Sequence, residues 1–192
     1  MAFITGTNLG EALLGDRTGA PENDIIIAGG GDDIVVAGGG NDILVGDAGR
    51  DQLLGGPGSD FLNGVDGDDR LLGDAGADTL VGDVGADVFT YRFLSDSAAF
   101  PTGRDTIRDF AHDVDRISLS QIDARAGVAG DQAFSFIGGS AFTGEGQARV
   151  FPETFNGHVN TVLELNTSGG SGAESQILLS GTPFLDSGDF IL

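Results

Sequence analysis

The chain has no cysteine, no tryptophan and no lysine, and only two histidines. Without cysteine there is no disulfide, no thiolate zinc site and no cysteine nucleophile. Without lysine, a glycine run such as Gly29-Gly30-Gly31 is not a phosphate-binding loop, because that motif needs a lysine after its last glycine. Positive charge is scarce as well. Nine arginines stand against 30 Asp and Glu, a net charge of −21. That balance argues against nucleic acid, whose phosphates must be neutralised by cationic side chains, and against an anionic membrane surface. No apolar run approaches the ~18 residues of a membrane span. The opening residues carry no basic side chain before Arg17, and Asn8, Gly10 and Glu11 interrupt any apolar stretch. A cleavable N-terminal export signal is therefore not expected. What the chain has instead is glycine, 34 of 192 residues, together with aspartate and a hydrophobic fraction of 40%. That fraction is too high for a disordered acidic chain, so the acid calls for a cation.

The aspartates are periodic. Asp24, Asp33, Asp42, Asp51, Asp60, Asp69, Asp78 and Asp87 are each nine residues apart, so eight nonapeptides run without a gap over 19–90. Counting each from one to nine, aspartate is at position six. Glycine holds position four at Gly31, Gly40, Gly49, Gly58, Gly67, Gly76 and Gly85, and position one at Gly46, Gly55, Gly64, Gly73 and Gly82. Gly29 and Gly38 hold position two. Position eight is always apolar, from Ile26 through Val35, Leu44, Leu53, Leu62, Leu71 and Leu80 to Phe89. An imperfect ninth copy over 6–14 has Glu11 in the aspartate place, and an insertion beginning at 15–17 separates it from the rest.

Each position has a physical reason. The glycines permit a tight turn with positive φ. The last three residues, such as Ile34-Val35-Val36, are strand formers. Side chains alternate along a strand, so position eight points inward while seven and nine point out. Two nonapeptides then make one coil, and coils stack at about 4.8 Å. Residue i lies beside residue i+18, which puts Asp24, Asp42, Asp60 and Asp78 on one edge and Asp33, Asp51, Asp69 and Asp87 on the other. Bare carboxylates at that spacing repel. A hard divalent cation between each neighbouring pair removes the repulsion, and an all-oxygen donor set without cysteine selects calcium. Carbonyls of the turn glycines named above complete the shell. Three pairs per edge make about six ions, or more with sites at the ends. Over 19–90 the side chains sum to −13, and six Ca²⁺ would add +12. One buried side chain per nonapeptide is a small core, so the roll is expected to fold on binding calcium.

These repeats closely resemble the RTX (hemolysin-type) family, whose signature is G-G-x-G-x-D-x-U-x. Beyond 90 the period stops and short β-rich segments follow at 88–93, 105–110, 116–120, 132–137, 148–151, 158–165 and 176–180, with a short helical turn at 120–125. The runs Gly85-Ala86-Asp87-Val88-Phe89-Thr90-Tyr91, Asp105-Thr106-Ile107-Arg108-Asp109-Phe110 and Asp115-Arg116-Ile117-Ser118-Leu119-Ser120 look like the C-terminal domain of serralysin-type (peptidase M10) proteases. Related modules follow mannuronan C5-epimerases and some lipases. The resemblance implies a further calcium held by Asp96, Asp105 and Asp115. It also implies that 186–192, acidic and then apolar, is an uncleaved C-terminal type I secretion signal. The loop Asn166-Thr167-Ser168-Gly169-Gly170-Ser171-Gly172 is less acidic than its counterparts, which puts a calcium site there in doubt.

No catalytic constellation is legible. His112 and His158 are not in H-E-x-x-H-x-x-G-x-x-H, and there is no G-x-S-x-G elbow. One feature lies outside the family pattern. Ile25, Ile27, Ile43 and Val45 at outward positions form an apolar face that the C-terminal cap, a second copy or another protein would cover.

The expected fold is all-β: an entry segment with a degenerate repeat (1–18), a parallel β-roll (19–90), and an antiparallel, sandwich-like β cap (91–192). The expected function is a non-catalytic calcium-binding module, exported unfolded by the type I machinery of a Gram-negative bacterium and folded outside the cell. The alternatives are a module that binds polysaccharide or a cell surface, and a detached C-terminal part of a secreted metalloprotease.

Overall fold

The computed structural model describes residues 1–15, 21–125, 132–155, 157–181 and 184–192. The expected start of the first nonapeptide at 19–20, and residues 16–17 of the insertion before it, lie outside the described residues. Within each repeat a glycine turn precedes a short strand, and the chain winds from one sheet to the other and back. The first sheet stacks β1 (Phe3–Thr5), β3 (Ile25–Gly30), β5 (Ile43–Ala48), β7 (Phe61–Asp66) and β9 (Thr79–Val84), all parallel. The second stacks β2 (Ala12–Leu14), β4 (Ile34–Val36), β6 (Gln52–Leu54), β8 (Arg70–Leu72) and β10 (Val88–Thr90), also parallel. The register pairs Ile26 with Leu44 and Leu44 with Leu62, the i+18 neighbours the period requires. The degenerate copy at 6–14 is a true part of the roll, because its strand β2 pairs with β4.

Position eight fills the space between the sheets. Ile26, Val35, Leu44, Leu53, Leu62, Leu71, Leu80 and Phe89 are all fully buried. Of the outward residues, Ile34 and Ile43 are 45% and 42% exposed, whereas Ile25, Ile27 and Val45 are half-buried.

Beyond Thr90 the same two sheets continue. β11 (Asp105–Ile107) adds in parallel to β9, and β12 (Arg116–Ser118) adds in parallel to β10. The first sheet then takes β16 (Ser175–Leu179) in parallel with β11, β15 (His158–Asn166) antiparallel to β16, and β14 (Gln147–Phe155) antiparallel to β15, with β13 (Ser135–Phe136) parallel to β14 at the edge. The second ends on β17 (Phe190–Ile191). Phe110, Ile117, Ile122, Phe134, Leu163, Leu185 and Phe190 prolong the core of the roll, so one hydrophobic cluster runs through the molecule. The helical turn expected at 120–125 is absent. Turns occupy that stretch, and 3₁₀ turns form at Leu94–Asp96 and Ser187–Asp189, where an aspartate at the third position accepts from the backbone at the start of the turn.

Candidate metal centre

Every position-six aspartate lies at the end of a glycine turn, just before its strand, and is at most 3% exposed. The rows are hydrogen-bonded ladders. On one edge the Asp24 N–H donates to Asp42 Oδ1 at 2.6 Å, Asp42 to Asp60 at 2.8 Å, and Asp60 to Asp78 at 2.8 Å. On the other, Asp33 donates to Asp51, Asp51 to Asp69 and Asp69 to Asp87 at 2.8, 2.8 and 2.9 Å. Each carboxylate thus spends Oδ1 on the preceding coil. The second oxygen has no such partner: Oδ2 of Asp33, Asp51, Asp60, Asp69, Asp78 and Asp87 is buried without a hydrogen bond. A buried acceptor left unpaired is costly, and a buried charge more so.

The glycines explain where that oxygen goes. A Cβ on Gly46, Gly55, Gly64, Gly73 or Gly82 would sit 2.4, 2.3, 2.1, 2.2 or 2.2 Å from Oδ2 of the aspartate five residues on. In these five repeats the carboxylate fills the place of a position-one side chain, whereas the two earlier repeats hold the small, buried Ala28 and Ala37 there. Position four is close-packed along the roll, where a Cβ on Gly76 would meet the Gly58 carbonyl oxygen at 1.5 Å. The turns therefore bring backbone carbonyls and aspartate oxygens into one narrow edge, a donor set of oxygen alone that suits calcium.

Burial also displaces the titrations. Desolvation pushes Asp51 and Asp87 up to about 6, and Asp60, Asp69 and Asp78 up to about 7, against the hydrogen bonds from the preceding coil, which pull the other way. A bound cation would favour the ionised form and oppose this upward shift.

The three post-roll aspartates part company. Asp105 and Asp115 continue the ladders, accepting from Asp78 and Asp87 at 2.9 and 3.0 Å, although they lie 27 and 28 residues on instead of 18. Asp105 keeps the pattern of the repeats, with Oδ2 buried and unpaired, and burial raises it well above the usual carboxylate range. The Tyr91 hydroxyl is buried beside Asp105, and burial first and the neighbouring carboxylate second push its titration well up. Asp115 breaks the pattern, because its Oδ2 accepts the Ala111 N–H at 2.8 Å. Asp96 holds its own 3₁₀ turn by accepting from Arg92 and Phe93 at 2.8 and 2.9 Å. One edge thus ends on an open carboxylate and the other on a satisfied one.

Position five carries a second ladder that the sequence reading missed. Asn23 Oδ1 accepts from Asn41, Asn41 from Ser59, Asp32 from Arg50 and Asp68 from Ala86, at 2.8 to 3.0 Å. Its direction is opposite to that of position six, since here the earlier coil supplies the side chain. The signal was the Asn or Asp recurring beside the periodic aspartate. Away from the rows, His112 Nδ1 is 2.9 Å from both oxygens of the buried Asp189, which ties it to the 3₁₀ turn before β17. His158 begins β15 at the surface. In the loop after β15, the Asn166 side-chain amide donates to the Gly170 and Gly172 carbonyls at 2.6 and 2.8 Å, taking up the oxygens a cation would need.

Two parallel sheets wound from glycine-aspartate nonapeptides, with a carboxylate row on each edge, define an RTX-type β-roll. The chain belongs to the family described as peptidase M10 serralysin C terminal, which matches residues 8–192. RTX repeats are calcium-binding in general. Among solved structures, the AlgE6R3 subunit of the Azotobacter vinelandii mannuronan C5-epimerase is similar at 24% identity and TM-score 0.42, over 97% of this chain and 80% of that one. The AlgE6R2 subunit of the same epimerase is similar at 19% identity and TM-score 0.39, over 98% and 91%. No curated protein matches the chain.

Proposed function

We propose that this chain is a non-catalytic, extracellular calcium-binding module that folds when calcium enters its edges, and that this folding drives and completes type I export. The observation that carries the reading is the pair of buried carboxylate rows, in which Oδ2 of Asp33, Asp51, Asp60, Asp69, Asp78 and Asp87 is buried without a hydrogen bond. Calcium would lie between successive rungs from Asp24 to Asp78 and from Asp33 to Asp87, with carbonyls of the turn glycines, for about six ions. Asp105 would extend the first row by one site beside Asp78, whereas Asp115 closes the second. The C-terminal segment supports the export step. Asp189 is fully buried and Phe190 is 8% exposed, so the acidic and aromatic residues at the centre of a signal at 186–192 are accessible only while the chain is unfolded. Extracellular calcium sites bind at ~10⁻⁴–10⁻³ M, far above the free calcium of a cytosol, which makes the compartment the switch.

The test is circular dichroism during calcium titration, with EGTA reversal and magnesium as control. A cooperative gain of β signal with calcium alone is expected. A chain fully folded in EGTA would remove the switch. Terbium adds a local reading, because Tyr91 is the only tyrosine and there is no tryptophan. Tyrosine-sensitised terbium emission, lost in Asp105→Asn, would report the site at the end of the first row.

One observation favours a second reading, a module for acidic polysaccharide. A shallow cleft of about 450 Å³ on the outer face of the first sheet is lined by Arg108, His158, Asn160 and Ser180, with no carboxylate among its lining residues. Calorimetry with a uronate oligosaccharide, compared with Arg108→Ala, separates the two readings.

A further inference from the structure

The repeat over 6–14 is degenerate by sequence and regular in structure. It has Leu9 where the later repeats have glycine, and Glu11 where they have aspartate. Its turn is nevertheless close-packed on the next one. The Gly30 N–H donates to the Thr7 carbonyl at 2.7 Å. A Cβ on Gly29 would meet the Thr7 carbonyl oxygen at 2.2 Å, and one on Gly31 the Gly10 nitrogen at 2.4 Å. The strand that follows pairs Ala12 with Ile34, which sets Glu11 beside Asp33 in the second row.

Glu11 joins that row through its backbone. Its N–H donates to Asp33 Oδ1 at 2.5 Å, the same bond that Asp33 makes to Asp51 and Asp51 to Asp69. Its carboxylate takes the matching seat. A Cβ on Gly6, five residues before Glu11, would lie 3.0 Å from Glu11 Oε2 and 2.0 Å from the Ala28 carbonyl oxygen of the next coil. At Gly46 the corresponding oxygens are Asp51 Oδ2 at 2.4 Å and the Gly64 carbonyl at 2.7 Å. Glutamate is longer than aspartate by one methylene, and the Thr7 hydroxyl holds the longer side chain by donating to its Oε1.

Asp33 supplies an independent sign of a ligand. It is 1% exposed, and the carboxylate that accepts the Glu11 N–H at Oδ1 has its Oδ2 buried without a hydrogen bond. Neither Glu11 nor Asp33 is in an ion pair with an arginine among the described residues, whereas the adjacent Asp32 is paired with Arg50. Two carboxylates and a turn carbonyl thus come together between coils with no cationic side chain to balance them, and a buried charge left so is costly. The first row differs, because there the N–H that reaches Asp24 Oδ1 comes from Ala2, which brings no carboxylate.

We infer that Glu11 and Asp33 hold a further calcium between the degenerate repeat and the coil that follows it, with the Ala28 carbonyl among its donors. The donor set is oxygen alone, as in the rest of the row. The inference rests on the calcium reading of the rows and adds one ion to the second of them.

The test counts ions. Equilibrium dialysis of the full chain against radiolabelled calcium is followed to its plateau, with the β signal verified by circular dichroism. Glu11→Gln keeps the shape and removes the charge; it should fold at saturating calcium and bind one ion fewer than wild type. Glu11→Asp, which restores the residue of the other repeats, should keep the wild-type number. So should Glu145→Gln, which alters an exposed carboxylate of the C-terminal region. Where Glu11→Gln loses β signal, Glu11→Ala is counted in its place. A folded neutral variant that binds the wild-type number overturns the inference, as does an equal loss in Glu145→Gln. A wild-type chain that takes up no calcium overturns the reading of the rows instead, and is seen before any variant is compared.

Discussion

At Val65 the backbone takes φ 84°, a conformation that costs a β-branched residue dearly. The same repeat position is occupied elsewhere by Gly29, Gly38 and Gly56, or by Asp47, Asp74 and Asp83, which tolerate it better. Val65→Gly should therefore stabilise the calcium-loaded protein by about 1 kcal/mol, read as a higher urea midpoint with an unchanged slope. The reverse holds one position earlier. Gly64→Ala would place a methyl 2.1 Å from Asp69 Oδ2 and expel the carboxylate from its seat. Calcium-induced folding should then need several-fold more calcium in the same titration, whereas Gly138→Ala, with nothing within 4 Å, should leave the midpoint unchanged. The periodic aspartates and glycines were fully legible in the sequence, because one repeat answers the same steric question eight times. The sequence did not distinguish Asp105 from Asp115. That difference depends on the Ala111 N–H, which a turn four residues upstream brings to Asp115 alone.

The rows behave as elements in their own right. In Asp51, Asp60, Asp69, Asp78 and Asp87 burial raises the folded titration to about 6 or 7 from an ordinary value of 3.8. The folded chain then holds protons that the unfolded chain has released. Stability without calcium is greatest toward pH 4 and is lost as pH rises through 6 to 7. With calcium the sign reverses, since the ion needs ionised carboxylates and its affinity rises over the same interval. Circular dichroism from pH 5 to 8, in calcium-free buffer and in excess calcium, should give opposite slopes; parallel slopes would mean the rows do not take the ion. Strand positions were legible to within a few residues, because period-two alternation and glycine turns are local signals. The ladder at position five was not read, although its Asn and Asp residues stand in plain view. Only stacked coils show that their oxygens meet the backbone of the next turn, and with opposite polarity to position six.

At the scale of the whole molecule, a single core joins the roll to its C-terminal end, so damage at the end should be felt along the length. Phe190 is 8% exposed, and its ring lies 5.0 Å from that of Phe136 over the last coil of the second sheet. Phe190→Ala should cost about 3 kcal/mol and raise the calcium needed for folding of the entire β signal, not of a fraction of it. The sequence by itself determined the roll: its pitch, its inward residues, its two edges and its oxygen-only chemistry all follow from a nine-residue period. Tertiary structure alone decided how the roll is finished. The parallel order β9–β11–β16 and β10–β12–β17 joins strands far apart in the chain, so no period links them. It also decided that one row ends on an open oxygen and the other on a satisfied one. Repeats stack by local rules, but an end has no next repeat, and what covers it is settled by long-range contact.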